Sequence, residues 1–249
     1  MGLLEGQVAV VTAAAGLGIG SATARRFLEE GAEVIITDVH ARRTEETAAR
    51  LSEDFGRRVP SMAVDVTDSE QVNAMVAFAV QEFGRLDILV NNAARNILSP
   101  VKDMTDEQWQ TVVDTCLTGT FYGCRAALVP MLEQQSGKIV NLASVAGWGG
   151  AANQSHYAAS KAGVMALTRA LASEVARDGI RVNAVAPSFS PNPFLERIYP
   201  PEELERMAAG ATMGRGAEPV EIANVIVFLA SELSSYLTGE VISSSNMHP

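Results

Sequence analysis

Short apolar runs rich in β-branched residues alternate along this chain with longer segments in which apolar positions recur every three or four residues. Val8–Thr12 is brief and apolar; glycines follow it, and then a helical stretch, Ser21–Glu30, that stops before Gly31. Glu33–Thr37, Val59–Val64, Leu86–Val90, Lys138–Leu142, Ile180–Ala186 and Glu240–Ser243 predict further strands. Ala41–Phe55, Ser69–Phe83, Ser155–Arg177 and Pro219–Ser231 predict the helices between them, and Asp106–Gln135 one long helix or two. In Ser69–Phe83 the helical spacing is explicit at Val72, Met75, Val76 and Ala79. The strands are continuous apolar runs, as expected of a sheet buried on both faces. The pattern therefore predicts an α/β fold: a doubly wound parallel sheet of about seven strands, with helices on both faces through right-handed crossovers. No repeat or linker divides the chain, so residues 1–249 read as one domain. The odd segment is Ser188–Gly216, where prolines and glycines frame a helix candidate at Pro201–Gly210. An insertion of that length between a strand and a helix reads as a substrate lid.

Composition narrows the class. With 47% hydrophobic and 19% charged residues over 249 positions, the chain can bury a large core and is neither disordered nor fibrous. Nineteen basic against 29 acidic residues leave a net charge of −10, which argues against nucleic acid and anionic membrane surfaces as partners. No run of about 18 apolar residues could span a bilayer. Cys116 and Cys124 stand eight apart on a predicted helix, about 12 Å along its axis and too far to bridge. Nothing resembles a disulfide framework or a targeting segment, so a soluble protein of the reducing cytoplasm is expected. No cluster of His, Cys, Asp and Glu has metal-ligand spacing, so no metal is expected.

The run Thr12-Ala-Ala-Ala-Gly16-Leu-Gly18-Ile-Gly20 joins the first strand to the first helix. Glycines there let the backbone turn tightly and approach a pyrophosphate at the helix amino terminus. Alone, such a cluster could be an ordinary turn; its place in a βαβ unit favours a dinucleotide loop. Asp38 closes the second strand, where a carboxylate can accept hydrogen bonds from ribose hydroxyls and repel a 2′-phosphate, which favours NAD over NADP. Arg42 and Arg43 leave NADP open as 2′-phosphate partners, or face solvent on the next helix. Asp65 ends the third strand, placed to meet the adenine; Asp68 reads as a helix cap. Asn91-Asn92-Ala93-Ala94 ends the fourth strand in the same crevice.

Tyr157 and Lys161 lie one helical turn apart and share a face. A phenol titrates near 10. A neighbouring ammonium, and the positive charge of an oxidised nicotinamide, would bring that value down towards the working range. Ser144, just past the fifth strand, could hydrogen-bond a substrate oxygen. A Tyr-x-x-x-Lys pair alone could equally be a surface pair; its conjunction with the glycine loop, Asp38 and Asn91-Asn92-Ala93 gives it chemical meaning.

On these motifs, together with Asp65-Val66, Tyr157-Ala-Ala-Ser-Lys161, Arg181-Val-Asn-Ala-Val-Ala-Pro187, Phe228-Leu-Ala-Ser231 and Tyr236-Leu-Thr-Gly239, the chain resembles a compact short-chain dehydrogenase/reductase over essentially its whole length. The resemblance implies hydride transfer between a nicotinamide and a carbinol or carbonyl carbon. It implies that Tyr157 is the acid/base, that Lys161 holds the nicotinamide ribose and lowers the phenol pKa, and that Ser144 orients the substrate oxygen. It implies a cofactor site made by Thr12, Gly16, Gly18, Ile19, Gly20, Asp38, Asp65, Val66, Asn92, Ala93, Tyr157, Lys161 and Pro187. The chain departs from the family pattern in several places. Ala13 takes the loop's first glycine slot, and the loop is one residue longer. Cys116 stands at the position of a fourth catalytic residue, an Asn that supports a proton path from the lysine partly through its backbone carbonyl. Pro187-Ser188 replaces Pro-Gly, and Ser245-Asn246-Met247 replaces a glycine pair near the end.

These departures, with Gln154-Ser-His-Tyr157 and the tail from Leu237 to His248-Pro249, are similar to actinobacterial reductases of steroid-nucleus breakdown that act on hexahydroindanone coenzyme A thioesters. A 3-oxoacyl thioester reductase using NADP, a non-catalytic dinucleotide-binding homologue and a Tyr-Arg dehalogenase on the same fold are the alternatives. Intact Ser144, Tyr157 and Lys161 weigh against the last two. The lid's Phe189, Phe194, Leu195, Ile198, Tyr199, Leu204 and Met207 would suit a bulky apolar substrate, or simply pack the lid. Arg95 could meet an anionic group, with Arg197, Arg206 and Arg215 as weaker candidates. His156 is expected at the rim, and Trp109 and Trp148 in the core or an interface. The small and apolar faces of the two longest helices point to a homo-oligomer, a dimer or tetramer in the family.

Overall fold

The first strand, β1 (Val8–Val11), is four apolar residues with no exposed side chain, so it can lie only at the centre of a covered sheet. The computed structural model describes residues 2–192 and 195–245 and places it there. Six further strands flank it: β2 (Glu33–Asp38), β3 (Ser61–Ala63), β4 (Ile88–Asn91), β5 (Gly137–Leu142), β6 (Ile180–Pro187) and β7 (Val241–Ser244). All pair in parallel, in the order β3-β2-β1-β4-β5-β6-β7. The chain winds one way from β1 to β3 and the other way from β4 to β7, which leaves a crevice where the order reverses.

The helices are α1 (Ile19–Glu29), α2 (Ala41–Phe55), α3 (Ser69–Phe83), α4 (Asp106–Val113), α5 (Gly119–Gln134), α6 (Ala146–Gly149), α7 (Ser155–Val175), α8 (Pro201–Gly210) and α9 (Pro219–Ala230). On one face of the sheet, Phe27 and Leu28 of α1 meet Ile222, Ile226 and Leu229 of α9. On the other, Val72 and Met75 of α3, Met131 of α5 and Leu171 and Val175 of α7 form the second core layer. Asp68 caps α3 as predicted, accepting from the backbone N–H groups of Glu70 and Gln71.

The predicted Asp106–Gln135 segment is two helices joined by a π-helical turn, Asp114–Thr118, with Cys116 at its centre. One wider turn changes the face that α5 presents and releases local backbone groups from the regular ladder. The predicted third strand is shorter than its apolar run because Pro60 cannot donate to the ladder; its carbonyl accepts from Ile36 N–H instead.

A buried polar chain sets the relation between sheet and α7. Asn91 Nδ2 donates to Asn141 Oδ1 at 2.9 Å, and Asn141 Nδ2 donates to Thr168 Oγ1 at 3.0 Å. Each buried amide is satisfied only when β4, β5 and α7 hold this register, so the network locates the helix that carries Tyr157 and Lys161. Cys124 lies against the same pair and is inert: burial pushes its thiol up to about 12. Cys116 and Cys124 are both free. Among the described residues no helix is long and apolar enough to cross a membrane.

Candidate active site

One cavity of about 1030 Å³ runs along the carboxyl ends of the strands, across the β1/β4 crevice. Its walls gather the predicted Gly16, Gly18, Ile19, Gly20, Asp38, Asp65, Val66, Asn92 and Ala93 at one end. Ser144, Tyr157, Lys161 and Pro187 line it towards the other. Thr12 and Cys116, also predicted for the site, do not line it.

The glycine loop explains its own composition. Gly20 packs so closely that a Cβ there would sit 2.5 Å from Ala13 O and from Asn92 Nδ2. At Gly18 an added Cβ meets nothing within 4 Å, since it would project into the cavity. Ala13 occupies the left-handed region at φ 50°, a conformation that glycine adopts without strain. Thr12 braces the loop from behind. Its hydroxyl accepts from Asn92 N–H (2.9 Å) and Ala93 N–H (3.2 Å), while Asn92 Nδ2 donates to the carbonyls of Thr12 and Ala13 at 3.0 Å. Thr12 is 1% exposed, so it supports the loop and does not reach the cavity.

Asp38 is nearly buried at the end of β2 and accepts from His40 N–H at 3.1 Å. The two arginines that follow divide. Arg42 faces solvent and pairs with Glu46, whereas Arg43 turns into the cavity wall, 3.6 Å from the Asp38 carboxylate, with its Nε buried and unpartnered. Asp65 lines the wall while its carboxylate closes its own loop on Thr67 N–H (2.9 Å) and Thr67 Oγ1 (2.7 Å).

At the other end, Lys161 is 1% exposed. Its Nζ donates to Leu142 O at 2.5 Å and lies 5.6 Å from the centroid of the Tyr157 ring. An ammonium carries three donors, and this one has a single protein acceptor among the described residues. Burial lowers its pKa. Ser144 lies beside the phenol of Tyr157, where its hydroxyl acts to lower the phenol pKa.

The electrostatics of the protein alone run opposite to those expected of the phenol beside an oxidised nicotinamide. In the protein alone the Tyr157 phenol is held above its ordinary value; burial dominates, and the Ser144 hydroxyl opposes it without prevailing. Lys161 does not make the phenol acidic by itself, because desolvation weakens the ammonium too and its one strong contact is with a carbonyl. Tyr157 is thus a proton donor at neutral pH until further positive charge arrives.

Cys116 is fully buried. Its thiol donates to Arg95 O at 3.2 Å and accepts from Arg95 N–H at 3.3 Å, and its own carbonyl accepts from Thr120 Oγ1 at 2.9 Å. At the family's Asn position the chain therefore places a clamp on the β4–α4 loop. His156 is also buried, against the rim position expected of it: Tyr157 N–H donates to its Nδ1, its Nε2 has no partner, and burial lowers its pKa. Trp109 is 42% exposed, and Trp148 packs against a small cluster around Val164 and Met165.

The segment 188–216, expected to be a lid, carries α8 at the predicted Pro201–Gly210. Leu195, Arg197 and Ile198 line the cavity; Leu204 and Met207 do not, and Phe194 lies outside the described residues, as do Asn246, Met247, His248 and Pro249. Sequence reasoning missed the tie between this segment and the β4–α4 loop. Asn96 Nδ2 donates to Gln154 Oε1 (2.5 Å), and Gln154 Nε2 donates to Tyr199 Oη (2.7 Å). It also missed Ser190, whose buried hydroxyl has no partner and which lines the cavity. No sequence pattern marks either.

A dinucleotide fits these walls: an open glycine face, a ribose-side carboxylate, a buried ammonium short of acceptors and an unpartnered Ser190 hydroxyl. A family model described as enoyl-(acyl carrier protein) reductase matches residues 13–245. The chain belongs to the short-chain dehydrogenase/reductase family. It is 55% identical over its full length, covering 95% of the relative, to the (5R,7aS)-5-hydroxy-7a-methyl-1-oxo-2,3,5,6,7,7a-hexahydro-1H-indene-carboxyl-CoA reductase of Mycobacterium tuberculosis. It is 41% identical over 96% of both chains to a 3-oxoacyl-(acyl-carrier-protein) reductase of Thermotoga maritima. A solved short chain dehydrogenase from Mycobacterium smegmatis superposes with a TM-score of 0.88 at 49% identity, covering 100% of this chain and 95% of that one. NAD+-bound xylitol dehydrogenase superposes at 0.92 with 33% identity, covering 98% and 99%. As a family member, the chain is an oxidoreductase that uses a nicotinamide dinucleotide.

The raised phenol yields a spectroscopic prediction. Without cofactor, phenolate absorbance assignable to Tyr157, by difference from Tyr157→Phe, should appear only above pH about 10. Saturating oxidised cofactor should shift that titration downward. A Tyr157 phenolate at neutral pH in the cofactor-free protein would contradict this reading.

Proposed function

We propose that this protein transfers hydride between NAD and a secondary alcohol or ketone on a bulky apolar substrate, a ring-bearing coenzyme A thioester of steroid-nucleus breakdown. The observation that carries the chemistry is the convergence of Ser144, Tyr157 and buried Lys161 on one wall of the cavity. The bound cofactor supplies or accepts the hydride at the substrate carbon. Ser144 holds the substrate oxygen, and the Tyr157 phenol gives that oxygen its proton during ketone reduction. In alcohol oxidation the proton returns to Tyr157, which must first be ionised. Lys161 takes the ribose hydroxyls as the acceptors its ammonium lacks, and beside an oxidised nicotinamide it favours the phenolate. Cys116 serves through its backbone and its clamp on Arg95, with no role as a nucleophile.

For the substrate, the 55% identity to a hexahydroindene-carboxyl-CoA reductase supports a fused-ring thioester. The apolar Ile97, Leu195 and Ile198 on the cavity walls suit such a body. For the cofactor, Asp38 supports NAD. NADP with a 3-oxoacyl thioester is the second reading; the favouring observation is Arg43, which turns towards the same ribose position. The exposed Trp109, Phe121, Val129 and Leu132 along α4 and α5 support self-association. Two free, buried cysteines accord with a reducing cytoplasm.

Tyr157→Phe should lower kcat about 100- to 10,000-fold while cofactor affinity changes little, measured by nicotinamide absorbance with secondary alcohols and ring-bearing thioesters. Normal turnover by that variant would remove the assignment. Asp38→Ala should erase most of a preference for NAD, by about tenfold or more in kcat/KM; an unchanged ratio would mean that Asp38 does not read the ribose. Light scattering should give a multiple of the single-chain mass, and a single-chain mass alone would refute self-association.

A further inference from the structure

Two arginines stand at the substrate end of the cavity without a counter-charge. Arg95 follows β4, and Arg197 lies on the lid; both line the cavity and both are exposed. Other arginines of the chain lack a carboxylate too, among them Arg50, Arg125, Arg169 and Arg177, but none of those lines the cavity; Arg43, the third arginine that does, sits 3.6 Å from the Asp38 carboxylate. Among the described residues neither Arg95 nor Arg197 has a carboxylate partner. Asp114, the acidic residue lining this side, already accepts from Gln110 Nε2 at 2.7 Å.

The pair is built into place. Asn96 and Tyr199, neighbours of the two arginines in sequence, both hydrogen-bond the Gln154 amide, so the β4–α4 loop and the lid are stitched at this point. Arg95 is fixed a second time, through the two backbone hydrogen bonds with the Cys116 thiol. Two segments joined through Gln154 therefore each bring to the cavity wall an arginine without a carboxylate partner, and the same segments line the cavity with apolar Ile97, Leu195 and Ile198. A ligand that matches has an apolar reacting body and an anionic group held away from it, at the exposed mouth. A carboxylate on the reacting ring would need its partner deep beside Tyr157.

We propose that Arg95 and Arg197 form an anion subsite that takes the phosphates of the nucleotide half of a coenzyme A thioester. Guanidinium forks match phosphate oxygens in pairs, and a chain of net charge −10 would repel the anion without them. The proposal deepens the thioester reading above and rests on it, but its test does not need turnover. The protein saturated with NAD is titrated calorimetrically with coenzyme A, with 4′-phosphopantetheine and with pantetheine. Coenzyme A should bind most tightly and weaken with added salt. Arg95→Ala and Arg197→Ala should each weaken it about three- to tenfold and bring it towards pantetheine. Arg206→Ala, on the lid but outside the cavity and paired with Glu203, should leave it unchanged. Equal affinities for coenzyme A and pantetheine, an unaffected Arg95/Arg197 double variant, or no binding of coenzyme A would overturn the subsite. A 4′-phosphopantetheine as tight as coenzyme A would overturn it in favour of a carrier-linked substrate. Tyr157→Phe should bind coenzyme A as the parent does, so a failure of the catalytic assignment is read separately from a failure of the subsite.

Discussion

The ammonium of Lys161 is buried with one carbonyl to bind, and much of the site's arrangement answers that constraint. Taking a charge out of water costs several kcal/mol unless its donors find partners. Here Leu142 O fills one donor, and the opposing wall is open cavity. The protein alone therefore holds a group that bound ribose hydroxyls would satisfy. The same burial that weakens the ammonium raises the phenol next to it. Both groups move towards their neutral forms, and in that state the pair holds its proton on Tyr157. On the proposed function, an oxidised nicotinamide held alongside would favour the phenolate, so the cofactor's charge and not the helix alone would prepare the pair for chemistry.

Such a constraint needs a rigid frame. Lys161 can be buried only because α7 is held against the sheet, and Asn91, Asn141 and Thr168 fix that position through amides that have no water to fall back on. Thr12 and Asn92 do the same for the glycine loop, crossing from β1 to β4 where the strand order reverses. Binding surface is thus confined to the crevice, and the residues behind it are spent on bracing.

Most of the architecture was legible because both signals behind it are periodic. Continuous apolar runs marked the strands, and three-to-four spacing marked the helices. The line of Gly16, Gly18, Gly20, Asp38, Ser144, Tyr157 and Lys161 was legible because each sits at a strand end or on one helix face, and topology alone brings such positions together. Side-chain direction was not legible. Thr12 and Arg42 point away from the cavity and Arg43 into it, although Arg42 and Arg43 are adjacent. His156 is buried beside the backbone of Gln154 and Ile97, a contact between α7 and the β4–α4 loop that no periodicity announces. The π-turn at Cys116 leaves the apolar pattern of its helix nearly intact, so periodicity passed over it. The raised phenol of the protein alone was not legible either, because a sequence gives neighbours but not depth, and burial is the largest influence on Tyr157.

Thermal unfolding of Lys161→Met, with and without NAD, shows what the buried ammonium serves. Methionine keeps the length and apolar stem of the side chain and removes its charge. The protein without cofactor should then unfold at the same temperature as the parent or higher, since a desolvated charge has been removed. Saturating NAD at about a hundredfold over its Kd should stabilise the parent by about 2.7 kcal/mol, or roughly 5–10 °C in a chain of this size, and the variant hardly at all. A variant several degrees less stable without cofactor, yet stabilised by NAD as fully as the parent, would show that the ammonium serves the fold and not the ribose.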